Sequence, residues 1–149
     1  MTSTEYAAFV QRQSTHTDRP LAARLGLMAE AGEVAGLFER ALRAGQPDVD
    51  PDRVADELGD CLFYVALGSP SWGNMAGGCW TTAGYPLSRG LEAEILMLRL
   101  CGMEAALESI HALAHSIGLT LQEVAIRNRA KLERCNAEGS IDDRSRRTA

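Results

Sequence analysis

Glu30 and Glu33 stand three residues apart in LMAEAGEVAG, and Glu57 and Asp60 stand three apart in VADELGDCLF. In a helix, residues at i and i+3 are surface neighbours, and bare like charges there repel by roughly 0.2–0.5 kcal/mol. A cation held between them turns that repulsion into a binding site. Ligand sets made only of oxygen favour Mg²⁺ or Mn²⁺, and Mg²⁺ is commonly held by a few carboxylates together with substrate phosphates. The chemistry that fits is metal-assisted work on a phosphate ester.

One Glu-x-x-Glu on a helix is ordinarily a solvated face laced by salt bridges. The helical wheel argues for more here. Glu30 lies at the edge of an apolar stripe made by Leu27, Ala31, Val34, Phe38 and Leu42. Glu57 holds the same offset from a stripe made by Val54, Leu58, Cys61 and Val65, with Asp60 one step further out. Carboxylates at the edge of a core are costly to desolvate unless they are paired or metal-bound. Two antiparallel helices carrying these pairs would bring all four together.

The elements that must do so are legible as helices. A Thr-x-x-Glu capping box at Thr2 and Glu5 opens the first, which carries Tyr6, Phe9 and Val10. The second begins near Asp18 with Pro20 in its first turn, carries Glu30 and Glu33, and ends at Gly45. The third starts with Asp50 as N-cap and Pro51 at the first helical position, then runs to about Leu67 with Glu57 and Asp60 on it. A fourth is expected over Leu91–Ile117, buried along Leu96, Leu100, Met103, Leu107, Ile110 and Ala114. Beside that stripe Glu104, Glu108, His111 and His115 share a strip that reads as Glu–His pairs more readily than as a second metal site. A capping box at Thr120 and Glu123 opens the fifth, which ends near Cys135. Asn128 and Lys131 share one face of it; a lysine suits phosphate oxygens, and an asparagine amide can donate to a phosphate or accept from a sugar hydroxyl.

Between the third and fourth helices, residues 68–90 form a glycine-rich insert that contains Trp72, Trp80 and Tyr85. A loop of this length reads as a lid or an oligomer arm. Its aromatic residues either stack on a base or anchor the loop to the core. No G-x-x-x-x-G-K-[ST] pattern occurs, which excludes a P-loop.

The fold expected is all-α, an oligomeric bundle of about five helices per chain, with one domain over 1–138 and a disordered tail over 139–149. At 149 residues, 46% hydrophobic but only 5% aromatic, the chain can bury an aliphatic core. The formal charge is -5, most of it due to the four motif carboxylates, so there is no basic patch for nucleic acid. Cys61, Cys79, Cys101 and Cys135 show no zinc or redox spacing and read as free thiols of a reducing compartment. The start of the chain lacks a signal pattern, and no apolar run approaches the roughly 20 residues that span a bilayer. A cytoplasmic protein without a membrane partner is expected. Amphipathic helices with few aromatics bury their stripes best against a second protomer, so a homodimer or homotetramer is expected.

LMAEAGEVAGLFERAL, ADELGDCLFYVA and LTLQEVAIRNRAKLERC together make the chain resemble the MazG-like nucleoside triphosphate pyrophosphohydrolases, the all-α NTP pyrophosphatases. The resemblance covers about half of the sequence. It implies Mg²⁺-dependent hydrolysis of a nucleoside triphosphate to the monophosphate and pyrophosphate, by attack of water at the α-phosphorus, with a purine deoxynucleotide such as dGTP as the favoured substrate. It further implies that Glu30, Glu33, Glu57 and Asp60 hold the metal, with Mn²⁺ able to substitute, and that Asn128 and Lys131 position the nucleotide. Ala29 departs from the pattern, because some members carry another acid there; Asp56 is a candidate substitute that the wheel turns away from the shared centre. The insert beginning at Gly68 is a second departure. Two other readings compete with catalysis: a nucleotide- or metal-binding regulator on the same scaffold, and a helical oligomerisation module whose acidic pairs form salt bridges between subunits.

Overall fold

The computed structural model describes residues 1–46, 49–69, 72–82, 91, 94 and 102–137. The expected tail at 139–149, together with Tyr85, Leu96, Leu100 and Cys101, lies outside the described residues. The chain is all-α, with no strand among the described residues.

Local signals set the helix ends. In α1 (Ser3–Gln13) the Glu5 amide donates to Thr2 Oγ1 at 3.1 Å while the Thr2 amide donates to Glu5 Oε2 at 2.6 Å, so the expected capping box forms in both directions. In α2 (Arg19–Arg43) Asp18 caps the Leu21 amide at 3.1 Å. The turn that follows passes through Gly45 at φ +67°, a conformation that side chains rarely adopt. In α3 (Pro51–Gly68) Asp50 caps Asp52 and proline occupies the first position.

The expected long fourth helix is different in the structure. Leu91 and Glu94 are helical, but the continuous described helix there is α5 (Met103–Ser116), which starts after Gly102 in extended backbone at φ -68°, ψ 170°. Glycine gives up helical conformation more readily than any residue but proline, and here it ends the periodic run that the apolar stripe suggested. Likewise the insert is not all loop, since α4 (Trp72–Gly77) folds within it. The closing helix α6 (Leu121–Ala137) starts from the expected Thr120–Glu123 box, with the Glu123 amide 3.2 Å from Thr120 Oγ1 and the Thr120 amide 2.8 Å from Glu123 Oε2.

Helix α3 is the hub: it packs against α1, α2, α5 and α6, and its pairing with α2 is the most extensive among the described residues. Val54, Leu58, Cys61 and Val65 are all buried, as the wheel required. Each such aliphatic side chain contributes roughly 1.5–3 kcal/mol on leaving water. Along the α2–α3 pair Ala23 meets Gly68, Gly26 meets Tyr64, and Glu30 meets Asp60 and Glu57, so residue numbers rise along one helix as they fall along the other. The two helices are antiparallel. This register runs out at the start of α3 before Leu42 is reached, which leaves Leu42 79% exposed rather than in the stripe. Leu37, buried, ends the stripe instead.

Among the described residues no helix is long and apolar enough to cross a membrane. Cys61 is a free thiol buried in the core.

Candidate metal centre

The antiparallel register sets Glu30 of α2 opposite Glu57 and Asp60 of α3. One carboxylate oxygen from each lies within 4.8 Å of the others, and all three side chains are half-buried. Oxygens this close from three acids can meet one hard cation, and the donor set is one that divalent Mg²⁺ or Mn²⁺ favours. Among the described residues this is the only such cluster.

Glu33 is not part of the triad. It is exposed, although its charge still reaches Glu30 and Glu57. The wheel alone does not separate it from Asp60, because each lies about 60° further from the core than the glutamate three residues before it. What differs is a third helix. Helix α6 packs on α3 and brings Asn128 and Lys131 over Asp60, where Asn128 Nδ2 donates to Oδ1 at 2.9 Å and Lys131 Nζ donates to Oδ2 at 2.5 Å.

That approach is close enough to require glycine in the facing helix. A Cβ built on Gly59 would stand 2.9 Å from Asn128 Cβ and 3.2 Å from its Nδ2. Asn128 is itself 1% exposed, and its Oδ1 accepts from the Tyr6 hydroxyl at 2.9 Å. The expectation that Asn128 presents its amide to a ligand is therefore altered: both ends of the amide are engaged inside the protein, and what it holds is Asp60. Tyr6 was not singled out as a site residue by sequence. Its phenol is buried and its hydroxyl pushed well up, by burial first and then by the Asp60 charge.

The electrostatics follow from crowding like charges in a half-dry place. Burial, then Asp60 and Glu57, push the Glu30 carboxyl up to about 7, with Glu33 adding to the effect and Lys131 opposing it. Glu57 is raised as well, first by burial, with Lys131 again pulling the other way. For Lys131 burial disfavours the ammonium, yet the hydrogen bond and charge of Asp60 prevail and raise it, so it stays cationic. The Cys61 thiol, beside Asp60, is buried and pushed well up, mainly by burial and next by Glu30; it is a core thiol and not a thiolate nucleophile. Asp56 is exposed, turned out as the wheel placed it.

Tyr64 stands on α3 one turn beyond Asp60. Its ring lies so close over Gly26 that a Cβ there would fall 2.2 Å from it. With Gly26, Leu21, Leu25, His16 and Asp18 it borders an open groove of about 410 Å³. Burial raises the Tyr64 hydroxyl, followed by the Glu30 and Asp60 charges, whose field reaches the ring.

The other expected candidates behave structurally. Trp72 and Trp80 are buried against Tyr6, with ring centroids at 6.1 and 5.9 Å from it. Trp72 Nε1 donates to the Ser3 carbonyl at 2.7 Å and Trp80 Nε1 to the Met1 carbonyl at 2.9 Å. They anchor the insert to α1, so of the two readings open for them anchoring is the one observed. His111 is buried and faces the Thr82 carbonyl at 3.2 Å, whereas Glu104 and Glu108 are exposed, so the strip is not one wet face. None of the four is in a ligand cluster among the described residues.

Comparison of the chain with protein-family models, with curated proteins and with solved structures gives no match.

Proposed function

We propose that this protein is a divalent-metal-dependent nucleoside triphosphate pyrophosphohydrolase of the MazG-like kind, which uses water to cleave between the α- and β-phosphates. One observation supports the reading above the others: three half-buried carboxylates converge from two helices, and Lys131 is the cation that α6 supplies to them. Such crowding costs folding energy that a purely structural protein has no reason to retain.

In this reading Glu30, Glu57 and Asp60 hold Mg²⁺ or Mn²⁺, and Glu33 lies at the exposed rim, where it adds negative field or reaches a further ion. When bound, the metal polarises the phosphates, activates water and neutralises the departing pyrophosphate. Asn128 and Lys131 hold the Asp60 carboxylate aimed at Glu30 and Glu57. Lys131 spends one of its three donors on Asp60, which leaves donors for phosphate oxygens. Phosphoryl transfer needs orientation and charge neutralisation more than a covalent nucleophile, so a carboxylate cage without a reactive serine or cysteine is sufficient.

We also infer self-association as a homodimer or homotetramer. Leu21, Leu25 and Met28 follow one another at i, i+4 and i+7 on α2 and are 53%, 58% and 45% exposed, a strip that a second copy would cover. Size exclusion with light scattering should give a multiple of the protomer mass, and a monomer would remove this part of the reading.

The activity is tested with a panel of common NTPs and dNTPs, purine deoxynucleotides first, in Mg²⁺ or Mn²⁺, scored for pyrophosphate. Release that EDTA abolishes is expected. Binding without release would favour the regulator, and neither binding nor release would favour the oligomerisation module.

A further inference from the structure

We infer that Tyr6, on a different helix from Glu30, Glu57 and Asp60, is a positioning residue for the metal centre, acting by fixing which way the Asn128 amide faces. The inference rests on the metal-site reading of the triad.

An asparagine side chain has a carbonyl that only accepts and an NH₂ that only donates, and the two ends are nearly equal in size. A buried asparagine beside a carboxylate therefore has one productive orientation and one repulsive one. The Tyr6 hydroxyl donates to Asn128 Oδ1 at 2.9 Å while Nδ2 donates to Asp60 Oδ1, also at 2.9 Å, so the phenol satisfies the amide oxygen at the end away from the carboxylate. Reversed, the amide would set its oxygen against Asp60 and its NH₂ against the phenol. Tyr6 itself has no room to swing, because its ring is fully buried between Phe9, Trp72 and Trp80. Those tryptophans are in turn bonded to the backbone at Ser3 and Met1. The rigid aromatic corner thus reaches the acidic centre through one hydroxyl and one amide. Partners behind metal ligands orient those ligands, and losing one typically weakens metal binding about 10- to 100-fold.

The test uses the whole chain with Tyr6→Phe, which keeps the ring and removes only the hydroxyl, and Phe9→Leu, which loosens the same aromatic cluster without touching the relay. Two quantities are read: the Asn128 side-chain amide signals in a ¹H–¹⁵N spectrum of the metal-free protein, and the Mn²⁺ affinity by calorimetry. For Tyr6→Phe the amide signals should move toward those of an unconstrained asparagine and Mn²⁺ binding should weaken about tenfold. Asn128→Ala should weaken it similarly, and the double variant Tyr6→Phe/Asn128→Ala no more than Asn128→Ala alone. Phe9→Leu should melt at lower temperature with Mn²⁺ affinity unchanged. Unmoved Asn128 signals in Tyr6→Phe, wild-type Mn²⁺ affinity in Tyr6→Phe, or equal weakening in Phe9→Leu would each overturn the inference. If the wild-type chain takes up no Mn²⁺, the metal-site reading fails, and the Asn128 signals still decide the role of Tyr6.

Discussion

The aromatic corner at α1 and α4 and the acidic face of α2, α3 and α6 sit on opposite sides of Tyr6 and solve opposite problems. In the corner, each indole N–H finds a backbone carbonyl and the rings pack at 5.8 to 6.3 Å. On the acidic face, Glu30, Glu57 and Asp60 crowd together with Lys131 drawn in among them from α6, and two of the carboxyls are pushed upward. The insert is the more unusual stretch of sequence, yet both of its indole N–H groups are bonded to the backbone of the chain itself. Uncompensated charge, more than unusual composition, marks where a ligand belongs.

If that contrast is right, substitutions in the two regions should act with opposite signs. Asp60→Asn, or Glu57→Gln, is expected to lower pyrophosphate release about 100-fold or more, on the scale of removing one preorganised electrostatic group. Glu57→Gln should at the same time raise the melting temperature of the metal-free protein, because like-charge repulsion and burial of a charge are relieved. Retained turnover together with lost stability would erase the distinction.

Trp72→Ala should do the reverse, destabilising the chain by about 3–5 kcal/mol in urea unfolding through lost packing and the abandoned Ser3 carbonyl. Gly59→Ala tests the seam between the two regions. Its methyl would press on Asn128, so a cost of about 1–3 kcal/mol is expected, together with weakened Mn²⁺ binding, since the residue displaced holds Asp60.

The smallest effect is the pH dependence of the metal-free protein. With Glu30 raised from 4.5 to about 7, both states are protonated below the lower value, and between the two values the unfolded chain has lost a proton that the folded one keeps. Stability from this group therefore falls as pH rises across that window, and Glu57 acts in the same direction. The capping residues Glu5 and Glu123, held low by their hydrogen bonds to Thr2 and Thr120, change their contribution below the window. Thermal melts in EDTA between pH 5 and pH 8 should decline accordingly, and saturating Mg²⁺, which prefers the ionised carboxylates, should reverse the trend.

Short-range structure was readable because its determinants are neighbours in the chain. The Thr2–Glu5 and Thr120–Glu123 boxes, the Asp18 and Asp50 caps and the buried stripe from Val54 to Val65 all follow from spacing alone. The pairing of α2 with α3 followed from two stripes and a short connection. The arrangement around Asp60 did not, because Tyr6 and Asn128 are 122 residues apart and meet only once α1 and α6 have docked on α3. The wheel could not tell Glu33 from Asp60 for the same reason: the difference between them is made by α6, a helix that neither motif contains. Gly102 was passed over because the apolar stripe continues through it, and the two tryptophans were ambiguous because an indole packs equally well on a core or on a base.

The most direct test of the account is a crystal soaked in Mn²⁺ and measured at the manganese edge. An anomalous peak bonded by Glu30, Glu57 and Asp60, with Asn128 still on Asp60, is the predicted result. A map without a peak there, with the three side chains turned apart, would contradict it.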